Sequence, residues 1–322
     1  MLQQRKSNAT RKIVKANHSS RALSAKSEVI TDPQFLALQK NVLEHPHSSE
    51  NWIRLIAYYV EKGSVEEARK QTKKALAVVS FTSEMEKLNL WKSFINLEFN
   101  YGSGKSLLDI YRQASCACGL EHICQHLLAL FKAKGMFEAG DFYVKDLLKK
   151  SKDRFLAWKI ALGFYVDWRE QHKDKEGERE AEEQVKEILR RALQSLPLNR
   201  HIEFISQYAK LEYHCNALDT ARMNFENLLS NFPRRNDIWS VYLDYEMKYA
   251  QDVEYARTLF ERVTSIKKSL KQTKFFFKKF LDFETKFGDK KTQKAVMAKA
   301  KEFVDNYVAQ HPGDEEDEQP EN

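Results

Sequence analysis

Residues Asn100–Tyr111 read NYGSGKSLLDIY and include the residue types that cradle a phosphate. A phosphate-binding loop needs G-x-x-x-x-G-K-[ST], leaving a buried strand and opening a helix, so that backbone N–H groups and the lysine converge on the anion. Gly104, Lys105 and Ser106 supply only the second half of that pattern. The first glycine would fall at position 99, where Phe99 stands, and the preceding NLWKSFINLEF carries a helical rather than a strand pattern. No acid closing an apolar strand follows to hold magnesium. Tyr101–Ser106 is therefore expected to be a linker between helices, with Gly102 at a helix C′ position and Lys105 in solvent. A nucleotide-binding enzyme built on GSGKS stays as a remote alternative.

The segment SCACGLEHICQH, 115–126, gathers Cys116, Cys118, His122, Cys124 and His126. Its C-x-C-x₃-H spacing matches none of the paired knuckles that bind zinc. A helix ending near Cys118, a turn at Gly119 and a new helix from about Glu121 account for it, with buried cysteine acting as a small hydrophobe. His18, His45, His47, His172, His201, His214 and His311 are scattered. No serine or cysteine sits beside an evident base, and Glu66–Glu67 and Glu182–Glu183 lie in helical charge runs. No catalysis, metal or cofactor is expected.

A third grouping concerns binding. In SIKKSLKQTKFFFKKFLDFETKFGDKK, 265–291, Lys267, Lys268, Lys271, Lys274, Lys278 and Lys279 interleave with Phe275, Phe276, Phe277, Phe280 and Phe283. Helical spacing puts Phe276, Phe280 and Phe283 on a core face and Lys274 and Lys278 on another. Residues 266–311 hold twelve lysines against five acids, whereas residues 28–265 are nearly balanced. This local excess suits RNA phosphates or an acidic protein face. With no base-reading motif, an RNA contact would be backbone-directed and salt-sensitive.

The elements that must position these residues are helices. Only 10 glycines and 6 prolines among 322 residues leave few turns for an all-β or Gly-rich nucleotide fold. No run reaches the roughly 18 apolar residues of a membrane span, and no apolar stretch follows the basic N-terminus as in a secretory signal. Four cysteines suit a reducing compartment. Residues 1–30 are expected to form a basic disordered tail and 311–322 an acidic one, flanking an ordered body at 31–310.

Within that body apolar residues recur at intervals of three and four, as at Trp52, Leu55, Ile56 and Tyr59. Helices recur as pairs. Trp91, Trp239 and Phe277 are each followed seven residues later by Glu98, Glu246 and Glu284, and second helices share EEARKQTKKAL, DTARMNFENLL and EYARTLFERV. Ala68, Ala221 and Ala256 allow close helix approach, while Trp52, Trp91, Trp158, Trp239 and Phe277 fill the other end. One pair cannot bury its faces alone, so stacking is required. About seven pairs are expected, at 50–77, 86–115, 121–150, 154–196, 199–231, 236–266 and 271–309. A capping helix should span about 33–44 from Asp32, and a polar insertion, 170–181, should project from the fourth pair. The fold class is an all-α, α-α superhelical solenoid.

This repeat resembles the HAT (half-a-TPR) array of RNA-processing proteins, carried by the leading Trp, the closing Glu and A-R-x-x-[FLY]-E. The first pair departs at Thr72 and Lys73, and the second places Leu108 where alanine stands. SSENWIRLIAYYVEKGSVEEARKQTKKAL, SEMEKLNLWKSFINLEFNYGS, RRNDIWSVYLDYE and KQTKFFFKKFLDFETKFGD resemble the C-terminal HAT region of the family of rRNA-processing protein five, programmed cell death protein eleven in animals. The resemblance spans about 46–310. It implies a non-catalytic nucleolar scaffold supporting pre-rRNA processing and small-subunit assembly, with ribosome-assembly proteins and pre-rRNA as partners and no membrane. In that family the region follows OB-fold domains. A chain opening at Met1 with a basic tail instead implies a truncated paralogue, a separate subunit or a partial gene product. Another HAT machine, in splicing or mRNA 3′-end cleavage, is the alternative.

Overall fold

The computed structural model describes residues 32–79, 83–173, 177–250 and 252–310. The expected tails, 1–30 and 311–322, lie outside the described residues. Among these, every regular element is helical: α1 (Pro33–Glu44), α2 (Ser49–Glu61), α3 (Val65–Val78), α4 (Glu84–Tyr101), α5 (Gly104–Cys118), α6 (Leu120–Ala133), α7 (Phe137–Lys150), α8 (Arg154–Gln171), α9 (Glu178–Ser195), α10 (Leu198–His214), α11 (Leu218–Asn231), α12 (Asn236–Tyr245) with a π turn (Glu246–Ala250), α13 (Val253–Ser265), α14 (Leu270–Phe287) and α15 (Lys290–Gln310). Asp32 caps α1 by accepting a hydrogen bond from the Gln34 N–H at 2.9 Å.

After α1 the helices pair in order, α2 with α3 through α14 with α15, and the short turns make partners antiparallel. The chain forms two compact units, one ending at Lys152 and the other starting at Asp153. Each is a stack of helical pairs, an all-α solenoid architecture.

Five of the second helices approach closely because the fourth residue after the N-cap is small. Ala68, Ala181, Ala221 and Ala256 sit there, all buried, and Gly140 fills the place in α7. In α5 this position belongs to Leu107, which is buried, and not to Leu108, which is half-exposed. The reason is the cap: α5 starts from Ser103, one residue earlier than a longer linker would allow. Both ends of the expected insertion at 170–181 are helical, because α8 runs to Gln171 and α9 starts at Glu178.

Three of the turns within pairs share one device. Gly63, Gly135 and Asn216 take left-handed φ of 71°, 67° and 58°, and the next residue's N–H reaches back to the carbonyls of Tyr59, Phe131 and Glu212 at 2.8–2.9 Å. The sixth pair differs. Ala256 lies one residue further from its tryptophan than Ala68 does, and the π turn absorbs the extra residue.

Buried ion pairs bind successive pairs together. Glu98 on α4 receives Arg69 from α3 at 2.6 and 3.2 Å. Glu246 receives Arg222 from α11 at 2.8 and 2.9 Å, and Glu284 receives Arg257 from α13 at 2.6 and 3.1 Å. Burial alone would push the Glu98 and Glu284 carboxyls upward. Hydrogen bonds from Arg69 and Ser106, and from Arg257 and Thr292, outweigh it and hold both below the ordinary carboxylate range. The fourth pair departs from the rule. Its second helix carries Ala181–Glu182 where α3, α11 and α13 carry Ala–Arg, and Arg169 of the first helix supplies the guanidinium instead. It grips Glu212 at 2.8 Å through both terminal nitrogens and lies 3.6 Å from Glu182.

The tryptophans diverge. The Trp52 and Trp239 indoles donate to the carbonyls of Pro46 and Pro233, each at 2.8 Å. Trp158 is equally buried, yet its indole N–H has no acceptor. Trp91 is only half-buried and faces an open cavity beside Leu76, Met85 and Leu88.

Candidate interaction surface

The phosphate-loop candidate is committed to structure. Only Gly102 and Ser103 link α4 to α5, so Lys105 and Ser106 lie in the first helical turn and not in a linker. Ser103 accepts from the Ser106 N–H at 3.1 Å, and Ser106 Oγ accepts from the Ser103 N–H at 2.9 Å, a capping box. Ser106 Oγ also donates to Glu98 Oε2 at 2.7 Å, which occupies the hydroxyl a metal–nucleotide would need. Gly102 is extended, not left-handed; its requirement is space, since a Cβ would come within 2.6 Å of the Glu98 carbonyl and Ser106 Oγ. This matches Gly288, which lies against Glu284 and Thr292, and not the left-handed Gly63. Gly104 has nothing within 4 Å of an added Cβ. Gly104→Ala is therefore expected to stabilise by about 0.5 kcal/mol, and Gly102→Ala to cost about 1–3 kcal/mol. Thermal denaturation of the two variants checks the contrast.

The cysteines do not converge. Cys124 is buried with its thiol donating to the Tyr143 carbonyl at 3.6 Å, and burial, the dominant cause, pushes it up to about 12. Cys116 is exposed, and His126 turns to Asn96 at 2.9 Å. No group of three His, Cys, Asp or Glu among the described residues is placed to hold a metal ion.

The lysine cluster sits on the seventh pair, anchored by aromatic packing. Phe276, Phe280 and Phe283 are buried, and Phe280 stacks on Phe260 of α13 with centroids 4.9 Å apart. That fixes the rotation of α14 and divides the six lysines. Lys268 turns inward over the Phe276 ring at 4.6 Å and donates to Asn236 at 2.6 Å. Burial pulls its pKa down to about 8, which suits an anchor within the fold better than a phosphate contact. Lys279 bonds the Ser240 carbonyl and pairs with Asp244 at 2.8 Å. Lys267, Lys271, Lys274 and Lys278 remain exposed, and the last three lie at i, i+3 and i+7 on one stripe of α14.

Beside that stripe, Lys274 and Lys278 border an apolar groove of about 250 Å³ between α14 and α15. Phe277 lies on its floor, 6.0 Å from the Phe303 ring. Phe277 thus packs within its own pair as well as filling the tryptophan position. The sequence patterns alone passed over this groove. Its signal was Met297, Ala300 and Val304 recurring at three and four residues along α15.

The repeats match the family model described as Suppressor of forked protein (Suf) over residues 163–317. Protein RRP5 homolog of Mus musculus is 35% identical over 269 residues, covering 82% of this chain and 14% of that protein. The rRNA biogenesis protein RRP5 of Arabidopsis thaliana is 32% identical over 273 residues, covering 84% of this chain and 14% of that protein. The rrp5 protein of Schizosaccharomyces pombe is 32% identical over 266 residues, with 83% and 15% covered. The chain spans about one seventh of the length of these relatives.

Proposed function

The chain belongs, through its HAT repeats, to the RRP5 family, and from that premise we propose that it acts as a non-catalytic scaffold in ribosome biogenesis. It holds assembly proteins and pre-rRNA together in the nucleolus during pre-rRNA processing and small-subunit assembly. The observation that carries this reading is the homology over about four fifths of the chain to rRNA biogenesis proteins. The exposed stripe of Lys271, Lys274 and Lys278 on the seventh pair, with exposed Lys267 just before it, supports an anionic contact there. Stacked helical pairs suit such work, since each adds surface without needing a catalytic pocket.

Affinity purification of the tagged chain should recover early pre-ribosomal particles. Recovery of splicing or mRNA 3′-end complexes in their place would reassign the scaffold. Joint replacement of Lys267, Lys271, Lys274 and Lys278 by glutamate is expected to abolish that association. If the four lysines each neutralise one phosphate of single-stranded RNA, affinity should fall about 50-fold between 50 and 200 mM salt. Unchanged association after the fourfold reversal would remove the lysine stripe from the reading.

A further inference from the structure

The seventh pair carries the features by which earlier pairs receive a neighbour, yet no described helix packs against its outer face. Counted from the N-cap, the eighth residue of a second helix is Thr72, Tyr111, Val144, Val185, Phe225 or Phe260, each at most 1% exposed. In the second unit the cover is the next pair's first helix: Tyr242 stacks on Phe225 at 4.8 Å, and Phe280 on Phe260. With Asp289 capping α15, the same position falls on Met297, which is 57% exposed. Ala300 and Val304 continue the uncovered row.

The connecting charge is repeated as well. Arg69, Arg222 and Arg257 occupy the fifth position, and each meets a buried glutamate from the next first helix. In α15 that position is Lys294, exposed and without an ion pair among the described residues. The face therefore lacks two things together, an apolar row against Met297 and an acid against Lys294. Lys278 on the rim adds to the demand for negative charge.

We infer that the outer face of α14–α15 docks one amphipathic helix of a partner protein, apolar on one side and acidic along its flank, stacked as the first helix of a further repeat. For the charged rim this rests on the reading of the α14 lysines given above; the groove and Lys294 stand apart from it. A second copy of the chain fits less well, because symmetric pairing of this face would set lysines against lysines. Residues 311–322 offer six acids but no large apolar side chain, so they match the rim and not the groove.

The test uses the full chain and a fluorescein-labelled peptide of sequence NDIWSVYLDYEMKYA, residues 236–250, whose Trp239, Tyr242, Leu243 and Glu246 supply that chemistry. Saturable binding by fluorescence anisotropy is expected. Met297→Asp should weaken it about tenfold or more. Lys294→Glu should weaken it about fivefold, and a peptide carrying Glu246→Lys should restore the loss. Both positions are exposed, and an unchanged melting curve checks that the variants fold. Absent binding, or binding indifferent to Met297→Asp, overturns the proposal. So does a dimer in light scattering that Met297→Asp dissolves, or a marked rise in peptide affinity when 311–322 are deleted. An RNA oligonucleotide whose binding falls with Met297→Asp as steeply as the peptide's would make the groove an RNA site instead. The lysine-stripe reading fails separately: Lys271→Glu should leave peptide binding unchanged, and pre-ribosome association then survives the fourfold reversal while the peptide still binds.

Discussion

Glu212→Ala should destabilise the second unit by about 3–5 kcal/mol. The carboxylate is fully buried, and both of its oxygens accept from Arg169 at 2.8 Å. Removing it strands a guanidinium whose side chain is only 11% exposed. Glu170 at 3.2 Å and Glu182 at 3.6 Å remain near Arg169, so the lower end of the range is expected. Urea denaturation followed by circular dichroism gives the loss, and hydrogen exchange should rise across α8–α10 because repeats lean on their neighbours. Glu254→Ala is the control. It also removes a partner of a repeat arginine, Arg257, but from a side chain 83% exposed, and no measurable shift should follow. Equal losses in the two variants would refute burial as the cause.

Trp239→Ala carries the other large effect, about 3–5 kcal/mol. The ring is 1% exposed, its N–H is bonded to Pro233, and Arg262 lies over its face at 5.3 Å. Truncation leaves a cavity between α12 and its neighbours and an orphaned carbonyl. Trp91 occupies the corresponding place in the second pair but is half-buried beside an open cavity. Trp91→Ala should cost about 1 kcal/mol, since much of the ring is already in water. The ratio of the two losses in parallel denaturation curves is the measurement. A ratio near unity would mean that the repeat position, and not burial, sets the tryptophan's contribution.

Helix boundaries were legible because apolar spacing and caps agree, as at Asp32–Pro33 and at Cys118–Gly119. Ala68, Ala221 and Ala256 were legible as the small residues of their second helices, whereas α5 has none at that position. There the repeat motif was set one residue late, on Leu108, because GSGK resembles a long loop while Ser103 in fact caps the helix at once. The glycines of the turns look alike in sequence and differ in physics. Gly63 is needed for its positive φ, whereas Gly102 is needed because Glu98 and Ser106 fill the space a side chain would take. The Arg169–Glu212 pair went unread because its arginine sits on the unexpected helix. The signals were present in KLEYH at 210–214, which parallels NLEFN at 96–100, and in Ala–Glu at 181–182 in place of Ala–Arg. The lysines were legible as a cluster. Which of them face solvent depends on the rotation of α14, which Phe260 of another helix sets.

The displaced arginine of the fourth pair bears on how such an array can be edited. Helices that carry Ala–Arg bring their own connector, so a second helix could be exchanged among those pairs and still engage the acid that follows. The fourth pair divides its connector between two helices, with Arg169 on one and Glu182 on the other. A chimera that took α9 without α8 would set Glu182 toward Glu212 with no cation between them. The unit of exchange there is the whole hairpin, and chimeras cut inside it should fail to fold where equivalent cuts in the first, fifth and sixth pairs succeed.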